Sequence, residues 1–456
     1  MHALPLKSES IQCVVTSPPY WGLRAYAGEQ SFVWGGEEHE HEWAGLEGGE
    51  GYTGRRRWQH GASRDDEPQL WQQSTPQGAQ CGCGAWYGAL GLEPTPELYV
   101  EHMVAIFREV RRVLRRDGTL WLNLGDSYAG SWGAQGRDGQ MAGRSVVSAR
   151  QIGEHPRFAS RTGARGLGGG LKPKDLVGIP WRVAFALQVD GWYLRSDIVW
   201  SKPNPMPESV RDRPTKSHEY VFLLSKSERY FYDADAIREP VQASSIARIS
   251  QNGGNPTFDG ARARRENGHI NGRDTLRPDQ LVPEAGRNRR SVWEIATQPY
   301  PGSHFATYPE ALVEPCIKAG SAAQACAVCG APWERVTEFV SPKEAFRNSG
   351  RYVAQGKVPS NDNHDGGRPR AQVRGATTGW RPTCEHEDGS GQSIVLDPFN
   401  GSGTTGRVAL RLGRSYVGFD LSAEYLTEQA IRRIDPLAAA AQDARTGKSE
   451  QMVMFQ

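Results

Sequence analysis

The sequence contains no run of about 18 apolar residues, the length that a membrane-spanning helix requires. Its first residues, MHALPLKSESIQ, also lack the basic and then apolar segments of a secretion signal. Cysteine is scarce, with seven among 456 residues, which excludes a disulfide framework in a chain of this length. From these absences we expect a soluble protein of the cytoplasm.

Neither sign of charge dominates, because 54 Lys and Arg residues face 52 acidic residues. The net charge of +2 therefore says nothing about a polyanionic partner. Three loop-like stretches are locally basic, with 7 basic against 2 acidic residues in 129–172 and 9 against 5 in both 241–290 and 334–383. They are either solvated insertions or a footprint for nucleic-acid phosphates, and the presence of three favours the second interpretation.

Between these stretches, strand patterns alternate with helix patterns. IQCVV at 11–15 is typical of a strand, Thr95-Pro96 begins an amphipathic helix, and TLWLNLGD after Asp117-Gly118 is typical of a second strand. Further helices and strands are expected over 173–233 and toward the C-terminus, where a last helix is expected over 422–433. This alternation predicts an α/β fold with a mostly parallel sheet.

A glycine-rich turn, DPFNGSGTT at 397–405, lies between an apolar strand and a helix. Such a turn lets a nucleotide-type ligand approach the backbone and the helix N-terminus, although by itself it is equally a tight structural turn. The next strand ends at Asp420, whose carboxylate is well placed to accept hydrogen bonds from ribose hydroxyls. The two features together favour a cofactor with an adenosine group.

The motif TSPPY at 16–20 follows the first strand. Pro18 and Pro19 lack N–H donors, so the loop offers carbonyl oxygens and the Ser17 hydroxyl as acceptors, with Tyr20 as an aromatic lid. Such a cradle suits a planar amino group, whose nitrogen becomes nucleophilic once hydrogen bonds help it turn pyramidal. In isolation the motif is a simple turn in most proteins, but a cofactor turn in the same chain favours the chemical interpretation.

TSPPY and DPFNGSGTT together resemble the DNA amino-methyltransferases, which modify N4 of cytosine or N6 of adenine. The order of the two motifs is similar to that of the β class, and GTLWLNLGD, SDIVWSKPN, HFATYPEAL and RSYVGFDLSAEY also look like blocks of the family. The resemblance implies a Rossmann-like methyltransferase fold with a mostly parallel, mixed sheet. It also implies S-adenosylmethionine as cofactor and double-stranded DNA as partner.

The resemblance assigns catalysis to Ser17, Pro18, Pro19 and Tyr20. Ser17 and the carbonyl of Pro18 would accept hydrogen bonds from the target amine, and Tyr20 would stack on the flipped base. The cofactor would be bound by the glycine turn, the carboxylate after the next strand and a segment before the cofactor strand: Asp397, Phe399, Gly401, Gly403, Thr404, Asp420, His304, Phe305 and Thr307. The methyl group would pass in line from sulfonium to nitrogen, mainly through positioning and desolvation.

The β-class order also implies a division of the chain. The catalytic half would be 1–238, with insertions at 35–92 and 129–172, and a target-recognition region would follow at 239–295. The cofactor half would be 296–440, with a zinc-braced insertion at 324–390 and a flexible tail at 441–456. Nine arginines between 241 and 290 are expected to provide contacts to bases and phosphates.

The cysteines suggest metal rather than disulfides. Cys326-Ala-Val-Cys329-Gly has the turn of a zinc knuckle, and Cys384-Glu-His386 completes a tetrahedral set, so a structural zinc is expected there; two reduced pairs in a loop are the alternative. An earlier cluster with tighter spacing is formed by His39, His41, Cys81 and Cys83. For this cluster, a second zinc site and a set of residues without metal are equally good interpretations. Each metal would brace an insertion that has little apolar material to bury.

Pro315-Cys316 matches the dipeptide of cytosine-C5 methylation, but it lies in the apolar helix pattern PEALVEPCIKAG, where a buried structural cysteine is the better interpretation. Ser at the first cradle position is commoner in the cytosine-N4 enzymes of the family, so we favour cytosine N4 over adenine N6. Two other hypotheses stay open here: a methyltransferase acting on RNA or a protein amide, and a non-catalytic, zinc-braced DNA-binding subunit. The chain shows no recognisable nuclease constellation, so a partner nuclease would be a separate protein, and we expect association with the nucleoid.

Overall fold

A computed structural model describes residues 4–22, 31–36, 41, 43–44, 79–129, 170–172, 174–241, 286–298, 308–340 and 373–436. The strands are β1 (Ile11–Thr16), β2 (Phe32–Trp34), β3 (Trp43–Ala44), β4 (Ala79–Cys81), β5 (Trp86–Gly88), β6 (Leu114–Leu124), β7 (Tyr193–Ser201), β8 (His218–Ser225), β9 (Val292–Glu294), β10 (Trp333–Val340), β11 (Val373–Pro382), β12 (Ile394–Asp397) and β13 (Ser415–Gly418). The α-helices are α1 (Pro96–Val113), α2 (Ile179–Val189), α3 (Glu310–Gly320), α4 (Thr404–Arg411) and α5 (Ile431–Ile434).

A seven-stranded sheet in the order β13-β12-β1-β6-β8-β7-β9 forms the centre of the described structure. Strands β13, β12, β1 and β6 run parallel to one another, and β7 runs parallel to β9. Strand β8, which lies between β6 and β7, is antiparallel to both. The prediction of an α/β fold with a mostly parallel, mixed sheet is confirmed. Strand β1 lies between β12 and β6, so the loops that follow these strands meet at one edge of the sheet.

The sheet has an apolar core on each face. Alternate residues of β6 point to opposite sides, with Leu120 and Leu122 in the core that includes α1 and α2, and Trp121 in the core that includes α3 and α4. Strand β1 is buried along its whole length. A strand buried on both faces is expected to be mostly apolar, and β1 is so apart from Gln12 and Thr16.

Helix α1 begins where its sequence predicts. The Thr95 hydroxyl accepts a hydrogen bond from the backbone N–H of Leu98 at 3.2 Å, and Pro96 occupies the first turn. Strand β6 differs from the prediction because it begins at Leu114, before Asp117-Gly118 rather than after it. Its pairing with β1 shifts register there, so the Asp-Gly pair forms an irregularity within the strand and not a turn before it.

The last predicted helix, over 422–433, is less regular than expected. Tyr425–Ala430 form a π-helical segment, and the following residues, Ile431–Ile434, form a short α-helix. In the part of the chain that the structure describes, no helix is both long and apolar enough to cross a membrane.

Two small sheets lie outside the central one. The four-stranded sheet β2-β5-β4-β3 contains strands of the first insertion and also β2, which precedes the expected start of that insertion at residue 35. The two ends of this part of the chain meet, because the N–H of Gly22 donates to the carbonyl of Gly91 at 2.9 Å. The hairpin β10-β11 is attached to the core by Arg335, whose guanidinium contacts the Asp233 carboxylate at 2.8 Å. The insertions are thus anchored beside the central sheet.

Candidate active site

The two sequence motifs lie side by side at the carboxyl ends of β1 and β12. The Thr16 hydroxyl donates to the Asp397 carboxylate at 2.6 Å, across 381 residues of chain. Both residues are buried. This bond joins the acceptor loop directly to the glycine turn, so the two predicted parts of the site have a fixed relative position.

Asp397 is the centre of a buried cluster of hydroxyl groups. Besides Thr16, it accepts hydrogen bonds from Thr405 at 2.7 Å, from Tyr308 at 2.9 Å and from the backbone N–H of Phe399 at 3.1 Å. Burial raises the pKa of its carboxyl above the ordinary value, although these donors oppose the shift. These hydrogen bonds connect Asp397 to both motifs at the start of the glycine turn.

The glycine turn has the backbone conformation that only glycine adopts easily. Gly401 and Gly403 have φ angles of 49° and 77°, and a Cβ on Gly403 would lie 2.7 Å from a side-chain carbon of Ile434. Asp420 closes the turn, because its carboxylate accepts from the backbone N–H of Gly401 at 2.7 Å and of Ser422 at 2.9 Å. The predicted cofactor residues of this region thus lie together at the start of α4.

Thr404 is the first residue of α4 and is buried. Its hydroxyl accepts a hydrogen bond from Arg433 at 2.8 Å. The other predicted cofactor residues, His304, Phe305 and Thr307, lie outside the described residues. The next residue, Tyr308, is described, and its hydroxyl donates to Asp397 at 2.9 Å.

The acceptor loop is held from below. Pro18 is buried, the Pro19 carbonyl accepts from the Tyr99 hydroxyl at 2.8 Å, and the Tyr20 hydroxyl donates to Glu219 at 2.8 Å. The Tyr20 ring lies against the backbone at Gly125, where a Cβ would come within 2.5 Å of it. The loop thus has a defined shape, and Ser17 is half-buried within it.

Three polar residues of this site were missed by the sequence reasoning. The Asn123 side-chain amide donates to Tyr20 at 2.7 Å and to Glu219 at 3.0 Å, and Lys202 contacts the other oxygen of Glu219. Asn123 and Lys202 lie in segments that look like family blocks, GTLWLNLGD and SDIVWSKPN, and Glu219 lies in the strand pattern HEYVFLLSKS. A lone polar residue in an apolar strand does not identify its partner. Tyr308 was missed for the same reason.

Charge and burial compete at Glu219. Burial opposes its ionisation, but the Lys202 ammonium and the hydrogen bonds from Tyr20 and Asn123 prevail, so the pKa of Glu219 is held below its usual value. The ammonium of Lys202 also lies 4.3 Å from the centre of the Trp200 ring. The carboxylate is therefore ionised near neutral pH.

The four residues of the first predicted cysteine cluster lie close together. Cys326, Cys329, Cys384 and His386 each offer a ligand atom, and these atoms all lie within 4.8 Å of one another. The turn at 326–330 is closed by the Gly330 N–H, which donates to the Cys326 carbonyl at 2.8 Å. Such closely grouped thiol and imidazole groups match the ligands of a tetrahedral metal site.

The second cluster assembles from three of its four predicted residues. His41, Cys81 and Cys83 offer ligand atoms within the same 4.8 Å limit, and the Cys83 sulfur lies 3.5 Å from Nδ1 of His41. His39 lies outside the described residues. The spacing that seemed tight in the sequence is compatible with convergence, because Cys81 ends β4 and the turn before β5 brings Cys83 back toward His41.

Cys316 is buried in α3, and burial raises the pKa of its thiol well above the ordinary range. A thiol kept protonated in this way is a poor nucleophile, in agreement with its interpretation as a core residue.

Of the nine arginines expected in the recognition region, the structure describes three. Arg287 and Arg290 contact Glu239 at 3.1 and 3.8 Å, and Arg289 lies over the Trp293 ring at 4.5 Å.

Comparison with known proteins assigns the family. The sequence profile of the N6/N4 methyltransferase family, described as DNA methylase, matches residues 11–325 and 385–432. The type II methyltransferase M.SmaI of Serratia marcescens is 33% identical over 432 residues, covering 94% of this chain and 87% of that protein. M.XycI of Xanthomonas campestris pv. cyanopsidis is 33% identical over 427 residues, covering 94% and 82%.

Among solved structures, the cytosine-N4-specific PvuII DNA methyltransferase aligns with 95% of this chain and 83% of its own, at 14% identity and a TM-score of 0.41. The family assignment rests on the sequence matches, which include both motifs of the site. This chain belongs to the N6/N4 DNA methylase family and is an S-adenosylmethionine-dependent DNA methyltransferase.

Proposed function

We propose that the protein methylates N4 of cytosine in double-stranded DNA. The observation that carries this choice is Ser17 in the first position of the acceptor loop, since serine there is commoner in the cytosine-N4 enzymes of the family. Its Oγ lies 3.2 Å from the Tyr20 hydroxyl, and Ser17 is half-buried, whereas the next residue, Pro18, is buried. The hydroxyl can therefore accept a hydrogen bond from an amino group that enters the loop.

The residues of the chain divide the work of the reaction. Ser17 and the Pro18 carbonyl accept the two N–H groups of the flipped base, and the resulting pyramidal nitrogen directs its lone pair at the methyl donor. Tyr20 provides an aromatic surface for the base. Thr16 and Asp397 hold the loop in register with the cofactor turn, which is a positioning contribution to an in-line transfer.

S-adenosylmethionine, when bound, supplies the electrophilic methyl group. The donor set at the end of β12 and β13 fits it: a carboxylate for ribose hydroxyls at Asp420, and a glycine turn before α4 that permits close approach. Phe399, Gly401, Gly403 and Thr404 are proposed to line the cofactor with His304, Phe305 and Thr307. In this role Asp420 keeps its backbone contacts and uses its remaining lone pairs for the cofactor.

Mass spectrometry of nucleosides from DNA methylated by the protein tests the choice of base. We expect N4-methylcytosine, whereas N6-methyladenine would select the adenine alternative. Labelled S-adenosylmethionine offered with DNA, RNA or protein acceptors should label DNA alone. Failure to label any acceptor, with intact DNA binding, would instead support the non-catalytic subunit.

We further propose that Cys326, Cys329, Cys384 and His386 hold a structural zinc ion. Four ligands close the coordination shell, so this metal has no open position for catalysis. The cluster fastens the segment after α3 to the segment before β12, where Ala325 and Gly391 also form a β-bridge. Zinc would thus brace the hairpin β10-β11 next to the cofactor strand.

Metal analysis of the purified protein tests the zinc proposal. Cys329→Ala should lose one equivalent of zinc and lower the melting temperature, whereas Cys316→Ala, which removes a buried cysteine outside both clusters, should retain the metal. Equal zinc content in the two variants would contradict the site.

We propose the same metal for His41, Cys81 and Cys83 with His39 as fourth ligand, and Cys83→Ala should then remove a second equivalent.

Target recognition is proposed for 239–295, between the catalytic and cofactor halves of the division described above. The candidates for base contacts are its nine arginines, Arg248, Arg262, Arg264, Arg265, Arg273, Arg277, Arg287, Arg289 and Arg290. We expect at least one alanine substitution among them to cost roughly 1–3 kcal/mol of binding and to relax specificity at one base pair. If the methylated sequence is unchanged in every variant, recognition must lie in 129–172 or 334–383.

A further inference from the structure

A buried polar network lies directly beneath the acceptor loop. It consists of Ser17, Tyr20, Asn123, Lys202 and Glu219, which come from the loop after β1 and from β6, β8 and the end of β7. The side chains of Glu219 and Lys202 are only 16% and 18% exposed. None of these groups except Ser17 and Tyr20 has a role in the proposed function, so the presence of a buried charge pair here requires an explanation.

The direction of each hydrogen bond in the network follows from one group. An ionised carboxylate only accepts, so the Tyr20 hydroxyl must donate its proton to Glu219, at 2.8 Å. The Tyr20 oxygen then acts as an acceptor toward its other neighbours, and Ser17, at 3.2 Å, must donate to it. Once the Ser17 proton is committed to Tyr20, the lone pairs of its oxygen are what the loop offers to a ligand.

The orientation of Asn123 follows from the same charge. Its amide nitrogen makes its two shortest contacts with Tyr20 and Glu219, and a longer one of 3.3 Å with Ser17. With the amide reversed, its carbonyl oxygen would face the carboxylate, which is electrostatically unfavourable. Glu219 therefore fixes both the amide and the two hydroxyls.

We propose that Glu219 is a positioning residue that makes Ser17 a hydrogen-bond acceptor for the target amine, and that Lys202 keeps it ionised for this task. The inference rests on the proposed role of Ser17. If Glu219 carried a proton or an amide, it would become able to donate to Tyr20. Tyr20 would then be free to donate to Ser17, and Ser17 would present its proton, and not a lone pair, to the amine.

The charged and titratable neighbours of Glu219 set the pH at which this reversal occurs. Lys202 contacts it from the end of β7, and Lys216 interacts with it from the segment before β8 while donating to the Asp126 carbonyl at 2.7 Å. Tyr20 is its only hydroxyl donor among the described residues. Removal of Lys202 leaves burial as the dominant influence and raises the pKa of Glu219.

Single-turnover methylation rates, with cofactor and DNA saturating, test the proposal. Glu219→Gln preserves size, and we expect its rate to fall by about tenfold or more, equivalent to at least one lost hydrogen bond in the transition state. Affinities for S-adenosylmethionine and DNA should stay within about twofold of the wild type, because neither ligand is bound by Glu219. Glu97→Gln, which alters an exposed ion pair on α1, is the matched control.

The pH profile separates this role from a merely structural one. In Lys202→Met, the acid limb of the rate should move upward by about one pH unit or more, since Glu219 then gains its proton more easily. Tyr20→Phe removes the hydroxyl that links Glu219 to Ser17 by hydrogen bonds. The double variant Tyr20→Phe/Lys202→Met should therefore show no shift of the acid limb of the rate. Lys174→Met, at an exposed pair with Asp212, controls for loss of a lysine.

Each outcome decides the matter. A rate for Glu219→Gln within about twofold of the wild type, or a pH profile that Lys202→Met does not move, would overturn the role of Glu219. Ser17→Ala distinguishes that failure from failure of the proposed function. If Ser17→Ala is inactive while Glu219→Gln is active, only the present inference is wrong; if Ser17→Ala is fully active, the acceptor role of Ser17 is wrong as well.

Discussion

Asp397 and Glu219 are two carboxylates that collect hydroxyl donors on either side of the acceptor loop, and their pKa values move in opposite directions. Asp397 is buried among Thr16, Thr405 and Tyr308, no cation of the described residues contacts it, and burial raises its pKa. Glu219 is nearly as buried, but Lys202 lies against it and its pKa is lowered. Burial alone therefore raises the pKa of one carboxyl, whereas a neighbouring lysine lowers the pKa of the other.

The difference matches the tasks of the two sites. Around Asp397, every partner except one backbone N–H is a hydroxyl, and hydroxyl groups can turn to donate or accept. That cluster joins two strands and tolerates either protonation state. Around Glu219, the direction of the hydrogen bonds has a chemical consequence at Ser17, so a permanent charge is useful there.

The largest effect should come from removing the centre of the hydroxyl cluster. Asp397→Ala leaves three buried hydroxyls and the Phe399 N–H without their acceptor, and we expect a loss of about 4 kcal/mol in the free energy of unfolding. Urea denaturation measures it. Asp212→Ala, which removes an exposed partner of Lys174, should change the free energy of unfolding little, because water screens an exposed ion pair. Equal losses in the two variants would show that the cluster is not a structural centre.

Removing the cation should convert the Glu219 site into one that resembles Asp397. Lys202→Met leaves a nearly buried carboxylate without its partner and should cost about 3 kcal/mol at neutral pH. In the wild type the pKa of Glu219 is lowered on folding, so its stabilising contribution is present above the unfolded-state pKa and is lost as pH falls. In the variant the folded pKa is raised, so stability falls as pH rises.

The difference in the free energy of unfolding between wild type and Lys202→Met should therefore widen as pH rises through the lowered folded-state pKa of wild-type Glu219 toward neutrality, because the unfolded-state pKa is common to both proteins. Urea denaturation at several pH values gives this difference. Lys202→Met/Glu219→Gln should recover most of the loss, because no uncompensated charge remains. A penalty that is the same at every pH would indicate lost packing against Trp200 instead.

The smallest effect should come from neutralising Asp397 without removing it. In Asp397→Asn, one oxygen can still accept from Thr16 and Phe399, while Tyr308 and Thr405 can turn to accept from the amide, so we expect a loss of about 1 kcal/mol or less. The raised pKa means that the wild-type carboxyl contributes most at low pH and less as pH rises through its folded pKa. The loss should accordingly shrink between acid and neutral pH in thermal unfolding experiments.

Much of the fold was predictable from local patterns. Helix α1 begins at Pro96 as its cap residue Thr95 indicates, and the strands flanking both motifs were identified by their apolar runs. The start of β6 was wrong because Asp117-Gly118 is typical of a turn, whereas pairing with β1 keeps the residues before it in the strand. Hydrogen bonding with β1, a strand distant in the sequence, outweighed the local preference of Asp-Gly for a turn.

The candidate site was predictable only in part. Ser17, Asp397 and Asp420 follow strands in recognisable motifs, so their location at a strand end was readable. Glu219 and Lys202 occur in segments that pair antiparallel in β8 and β7, and which residues face each other across such a pair depends on register. No local pattern showed that these two would meet Tyr20.

The sequence by itself determined the chemistry: an acceptor loop with two prolines, a glycine turn after an apolar strand, and cysteine pairs at metal-ligand spacing. The order and type of the residues are enough to identify these motifs, because each motif is formed by residues that are close together in the sequence. The tertiary structure decided the placement. The order β12-β1-β6-β8-β7 brings Asp397 to one side of the acceptor loop and Glu219 to the other, and only that packing removes both carboxylates from water and gives one of them a lysine.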